Sequence, residues 1–227
     1  MSLYEFPDVD QGSERWHDLR RGMVTASVVG TLITPSTIKP ASNVQTRALT
    51  ALLASERITG WTENTYASDD MERGWEDEPR AVEAYGEHHD PVTPMGFMIR
   101  DDWGFQIGYS PDGLVEDRGA IEIKSRQPKK HLQTILANEV PSENMAQIQC
   151  ALLVSGRAWV DYVSYCGGMP LWVKRVRALP KWQDAILRAV ADLEQAVEDM
   201  QHRYRFLVDG LPMTERVDDY YPELRLQ

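Results

Sequence analysis

The chain has 227 residues, a net charge of −11, 42% hydrophobic residues and 26% charged residues. That length suits one domain, 1–227, with a sizeable core, and the acidic balance excludes a protein that coats nucleic acid over its whole surface. No apolar run approaches the roughly 18 residues of a membrane span, and the start, Met1-Ser2-Leu3-Tyr4-Glu5-Phe6, lacks the basic region of a signal peptide, so a cytoplasmic protein is expected.

Ser13 is placed to cap a short helix over 14–21 that Gly22 ends. Thr25-Ala26-Ser27 is read as opening a second short helix toward Ile33, and 34–43, with Pro35 and Pro40, as a loop. Residues 43–58 form a helix with Val44, Ala48, Leu49, Leu52 and Leu53 on one side and Gly60 as its stop. A further helix starts at Asp69-Asp70 and runs to about Tyr85. Pro79 inside it implies either a start near 78 or a kink. Strands follow from about 92 to 125, among them 97–100, 105–109 and 120–124. Helices at 129–138 and 142–154, separated by Pro141, precede strands at 158–165 and 171–177. The last helix, 181–208, repeats apolar residues every three or four positions, namely Trp182, Ile186, Val190, Leu193, Val197, Met200, Tyr204 and Leu207. The stripe predicts a helix packed on its own sheet. The core spans about 13–208, and 209–227 read as an acidic surface extension. This order is α/β, with a central mixed β-sheet flanked by helices, and the βαβ-like stretch 119–165 supplies a parallel pair. Cys150 and Cys166 have no metal-ligand spacing and are expected to be free, buried thiols.

The chemistry concentrates at Ser110-Pro111-Asp112-Gly113 and, a strand-turn-strand further on, Glu122-Ile123-Lys124. Ala120 to Lys124 alternates strictly, so Glu122 and Lys124 share one face while Ile121 and Ile123 point to the other. A hairpin turning at Asp112-Gly113 brings Asp112 back beside Glu122. Two carboxylates suit magnesium, a hard cation that keeps several waters, and an adjacent lysine can orient or activate a water. A Glu-x-Lys alone is common on exposed strands; the preceding Ser-Pro-Asp-Gly makes it a candidate phosphodiesterase site. Glu78, on the helix ahead of the strands, offers a third carboxylate, and Gln147, on the helix after them, a carboxamide. Arg20, with Thr25 and Ser27, supplies a guanidinium, hydroxyls and a helix N-terminus, the parts of a phosphate pocket. Two basic clusters, Lys124, Arg126, Lys129, Lys130 and His131, then Lys174, Arg175, Arg177 and Lys181, could face DNA locally despite the negative net charge.

Taken in order, W-x-x-x-R-x-G-x-x-T-A-S at 16–27, G-x-x-x-E at 74–78, S-P-D-G at 110–113, E-x-K at 122–124 and A-Q-x-Q at 146–149 closely resemble the phage lambda exonuclease family. These are viral-type, YqaJ-like recombination exonucleases of the PD-(D/E)xK nuclease superfamily. The resemblance implies a restriction-endonuclease-like core. It also implies a processive, Mg2+-dependent 5′→3′ exonuclease, with Mn2+ able to substitute, that consumes one strand of linear duplex DNA to 5′-mononucleotides and leaves 3′ overhangs. It further implies a homotrimeric ring around the DNA and a phage single-strand annealing protein as partner. By position, Asp112, Glu122 and the Ile123 carbonyl would be metal ligands and Glu78 would assist. Lys124 would position the attacking water with Gln147 near it. Arg20, Thr25, Ser27 and Ser110 would line a pocket for the 5′-phosphate. A restriction-type endonuclease with the same core is the alternative within enzymes; a non-catalytic acidic interaction protein is the alternative outside them.

Overall fold

The structure is a computed structural model that describes residues 2–63 and 68–216. Of the expected C-terminal extension, 217–227 lie outside the described residues. In chain order the elements are β1 (Leu3–Phe6), α1 (Glu14–Arg20), β2 (Val24–Thr25), a 3-10 turn (Val29–Leu32), β3 (Ile33–Thr34), β4 (Lys39–Pro40), α2 (Val44–Thr59) and α3 (Asp69–His88). Then come β5 (Val92–Thr93), β6 (Phe97–Arg100), β7 (Ile107–Tyr109), β8 (Gly113–Val115), β9 (Gly119–Ser125), α4 (Pro128–Ala137), α5 (Ser142–Ser155), β10 (Trp159–Tyr165), β11 (Trp172–Val176) and α6 (Pro180–Leu207).

The expected α/β architecture is present, with mixed sheets flanked by helices. The main sheet has the order β11-β10-β9-β8-β5, and a second has the order β1-β6-β7-β2. In the first, β8 and β9 form an antiparallel hairpin, Gly113 opposite Ile121, that turns at 116–118 rather than at Asp112-Gly113 as expected, and β9 runs parallel to β10, Glu122 opposite Tyr162. The crossover between the parallel strands consists of α4 and α5, as such a connection requires. Alternation along β9 divides its side chains between two apolar layers. Ile121 and Ile123 join Ala81 and Tyr85 of α3 in one cluster; Ala120 joins Ile148 and Cys150 of α5 in the other. Glu122 and Lys124 project from the Ala120 face, at the end of the strand nearest Gln147.

Four further expectations are corrected. Thr25 does not begin a helix. It ends β2, which pairs in parallel with β7, and Ala26 N donates to Gly108 O at 2.9 Å. The helical turn beyond it is a single 3-10 turn whose cap, Val28, has no side-chain cap bond. The supposed loop 34–43 contains the small hairpin β3–β4. Pro79 neither starts nor breaks α3, which runs through it; its position leaves Glu78 one turn from Ala81, on the side that meets the sheet. The fourth correction concerns α6. Trp182, Ile186, Val190, Leu193 and Val197 are buried, but against α2, α5 and the small β3–β4 sheet rather than mainly against either larger sheet, and the stripe runs past the core. Phe206 is 82% exposed, and Leu207, Leu211 and Met213 are exposed with it. No helix among the described residues is long and apolar enough to cross a membrane.

Candidate active site

The three central residues meet as the alternation requires. Asp112 leaves the turn before β8 and its Oδ2 accepts from the backbone N–H of Ile123. Glu122, 1% exposed, accepts at Oε1 from Lys124 Nζ at 2.7 Å and from Gln147 Nε2. Its other oxygen, Oε2, is buried and has no partner. Burial raises the Asp112 carboxyl well above the usual carboxylate range, and Glu122 and Glu78 add to the rise. Glu78 is raised by burial and by Glu122, against Lys124. Burial pulls the Lys124 ammonium down, but Glu122 and Asp112 outweigh it and leave the group above its ordinary value. The site therefore holds one firmly protonated lysine among carboxylates that repel one another.

That crowding of carboxyl groups, whose ionised forms a cation would favour, together with the orphaned Glu122 Oε2, fits a divalent cation. Among the described residues no three His, Cys, Asp or Glu side chains form a ready metal cage. Magnesium does not require one, since one or two carboxylates with waters and carbonyls suffice. Asp112, Glu122 and the Ile123 carbonyl are the residues that would hold it.

The second group lies where β2 joins β7. The Arg20 guanidinium, on the last turn of α1, donates to Thr25 Oγ1 at 3.4 Å and Ser27 Oγ at 3.2 Å. These hydroxyls lie 3.0 Å apart. Arg20 also stacks over the Trp16 ring, 4.0 Å from its centroid, and Trp16 Nε1 donates to Ser110 Oγ at 2.8 Å. A continuous line thus runs from Ser27 through Arg20 and Trp16 to Ser110, two residues before Asp112. Burial pushes Arg20 down to about 10, with Glu56 opposing, so it remains a cation at neutral pH. Trp16 had no role in the sequence reading beyond its place in the motif. Its helical spacing to Arg20, i and i+4, was the available signal. The helix N-terminus expected at Thr25–Ser27 is absent, so the pocket is one of side chains.

The basic clusters divide. His131 is fully buried; its Nε2 lies 2.9 Å from the Pro170 carbonyl and its Nδ1 2.8 Å from Ser164 Oγ. A carbonyl cannot donate, so Nε2 carries a proton and the imidazole is structural. Arg175 is equally committed. It pairs through two 2.8 Å bonds with buried Asp161, which also accepts from Tyr85 Oη at 2.7 Å, and it covers the Trp159 ring at 3.5 Å. Neither residue belongs to a free basic surface, whereas Arg126 and Lys130 line a cavity next to the site. Cys150 and Cys166 are free and buried, and burial pushes the Cys150 thiol up to about 12.

The chain is similar to known proteins over most of its length. It is 30% identical to the alkaline exonuclease LHK-Exo of Laribacter hongkongensis, with a TM-score of 0.73, covering 86% of this chain and all of that one. The same enzyme solved in complex with dAMP gives the same agreement. A phage-related exonuclease from Haemophilus somnus, 13% identical with a TM-score of 0.62 over 83% of this chain and 99% of that one, shares the fold. No curated protein sequence matches. Residues 15–158, which contain every site residue above, match the YqaJ-like viral recombinase domain, and the chain belongs to that family of phage-type, lambda-exonuclease-like nucleases.

Proposed function

We propose that the protein is a Mg2+-dependent 5′→3′ exonuclease with a PD-(D/E)xK site. It would digest one strand of linear duplex DNA processively to 5′-mononucleotides and leave 3′ overhangs for single-strand annealing recombination. Mn2+ would substitute for Mg2+. The observation that carries the reading is the line of hydrogen bonds and one cation-π stack from Ser27 and Arg20 through Trp16 to Ser110, which joins a cationic hydroxyl pocket to Asp112 and the carboxylate–lysine centre. A nuclease that cuts anywhere has no need of such a pocket. One that starts at an end does, because holding the terminal phosphate fixes which bond lies over the carboxylates. The complex of the similar LHK-Exo with dAMP accords with a mononucleotide product.

Bound at Asp112 and Glu122, magnesium would polarise the scissile phosphate and relieve charge on the leaving 3′ oxygen. The chain does the rest. Lys124, fixed by Glu122, presents an ammonium that orients the attacking water and offsets charge on the phosphate as it is attacked. Gln147 holds Glu122 from the α5 side, so Oε2 faces its task with Oε1 already committed at both bonds. Glu78 adds a further acceptor for ordered water. Arg20, Thr25, Ser27 and Ser110 bind the terminal phosphate. A ring of three copies, in a bacterial cytoplasm with a phage annealing protein as partner, would retain DNA by enclosure, which reconciles a −11 chain with a polyanionic substrate.

Linear duplex labelled at one 5′ end, and a closed circle, should be given to the protein with and without Mg2+. Release of labelled 5′-mononucleotide from the linear DNA alone, only with Mg2+, is expected. Arg20→Ala should chiefly erase the preference for 5′-phosphate over 5′-hydroxyl ends. Cutting of the circle would instead establish the restriction-type endonuclease.

A further inference from the structure

Beyond Lys124 the chain keeps its extended course. Arg126 N donates to Tyr165 O at 2.8 Å, continuing the β9–β10 ladder, and Arg126 therefore follows Glu122 and Lys124 on the same face. Its guanidinium reaches the α5 side, where one terminal nitrogen donates to Asn144 Oδ1 and, at 3.0 Å, to Tyr162 Oη. Its Nε is buried and without a partner. A donor of a charged group left unmade in the interior is costly unless a ligand takes it.

Arg126 lines a cavity of about 140 Å3 shared with Arg73, Ser125, Gln127, Lys130 and Asp70. Arg73 Nε donates to Ser125 Oγ at 3.1 Å, which fixes its guanidinium against the strand end. Gln127 caps α4 without a side-chain cap bond, so the first turn of that helix opens with unsatisfied N–H groups. Asp70, at the exposed mouth, accepts from Arg73 at 2.8 Å, and that bond with the Arg73 charge holds its carboxyl below the usual range. Three cations thus surround one small polar cavity, and its single carboxylate sits at the rim. None of these six residues belongs to the Arg20 pocket.

We propose that this cavity is a second phosphate subsite, which takes a backbone phosphate of the DNA other than the terminal one. Two residues of strand separate Lys124 from Arg126, about 6.6 Å, comparable to one nucleotide step along a backbone. A phosphate seated between Arg126, Arg73 and Lys130 would pair with their positive charges and displace Asp70 from Arg73. The strand is then gripped on both sides of the residues that cut it. The inference rests on the DNA exonuclease reading.

The test is binding without cleavage: the full chain in EDTA, titrated with a short duplex over a range of salt concentrations. Each phosphate contact contributes roughly 0.9 to the slope of log K against log [salt]. Lys130→Gln, at an exposed position, and Arg126→Gln should each weaken binding several-fold, and Lys130→Gln should flatten the slope by about 0.9. The effect should be equal on 5′-phosphate and 5′-hydroxyl duplexes, since the subsite reads an internal phosphate. An unchanged slope for Lys130→Gln in a protein that binds and digests DNA overturns the subsite and leaves the exonuclease standing. A loss confined to inhibition by a deoxynucleoside monophosphate, with duplex binding intact, also overturns it, because the cavity would then hold the released product. Failure of the unmodified protein to bind or cut duplex DNA would remove the exonuclease reading itself. Melting temperatures of both variants distinguish a lost contact from a lost fold, and if Arg126→Gln unfolds, Lys130→Gln decides.

Discussion

Glu122 carries two loads with its two oxygens. Oε1 is consumed by Lys124 and Gln147, while Oε2 stays buried and unmatched. Lys124 is accordingly both a partner that sets the carboxylate and a cation facing the reaction. Its replacement by alanine leaves Gln147 to hold Oε1 and removes no residue of either phosphate pocket. Lys124→Ala should lower the rate of mononucleotide release by at least about a hundredfold, the size of a lost proton-handling or water-orienting group. Duplex affinity measured in EDTA should stay within a few-fold of the unmodified protein. A variant that binds poorly, or retains most of its rate, would move Lys124 from catalysis to structure.

At the scale of elements, the position of β9 depends on what its neighbours exclude. Gly119 faces the Trp159 ring, and a Cβ there would lie 2.1 Å from it. Trp159 cannot yield easily, because Arg175 covers its other surface and is itself tied to Asp161. Gly119→Ala should cost about 1–3 kcal/mol through overpacking, read as a lower melting temperature, whereas Gly167→Ala, where the added Cβ meets nothing within 4 Å, should change it little. The strand that bears Glu122 and Lys124 was legible in advance because its alternation is strict; the turn was misplaced, because Asp112-Gly113 are turn formers while the hairpin actually turns at 116–118. Thr25 was misread because a two-residue strand is too short to show a period of two, and its pairing with β7 is decided by residues far along the chain. The α6 stripe announced burial correctly for its first turns, but a stripe does not say what lies against it. The cavity beside Lys124 was legible only in part: Arg126 and Lys130 stood in the first basic cluster, but Arg73 and Ser125 are 52 residues apart.

For the molecule as a whole, the exposed end of α6 and the segment after it are the feature that the described residues leave uncovered. Phe206, Leu207, Leu211 and Met213 give a monomer more apolar surface at one end than it needs. A ring of three copies would cover it. Light scattering should report three times the 25.9 kDa chain mass, and Phe206→Glu should shift that mass toward one copy. The variant should still release nucleotides but fall off its substrate sooner. A monomeric unmodified protein that remains processive would remove the ring from the account. The parallel pairing of β9 with β10 also has a consequence for how the enzyme is made. Glu122 has no neighbouring strand on that side until Tyr162 has been synthesised, and Gln147 must be in place as well. The nascent chain therefore carries Asp112 and Glu122 before the strand and helix that frame Glu122 exist. Non-local pairing of this kind forms late.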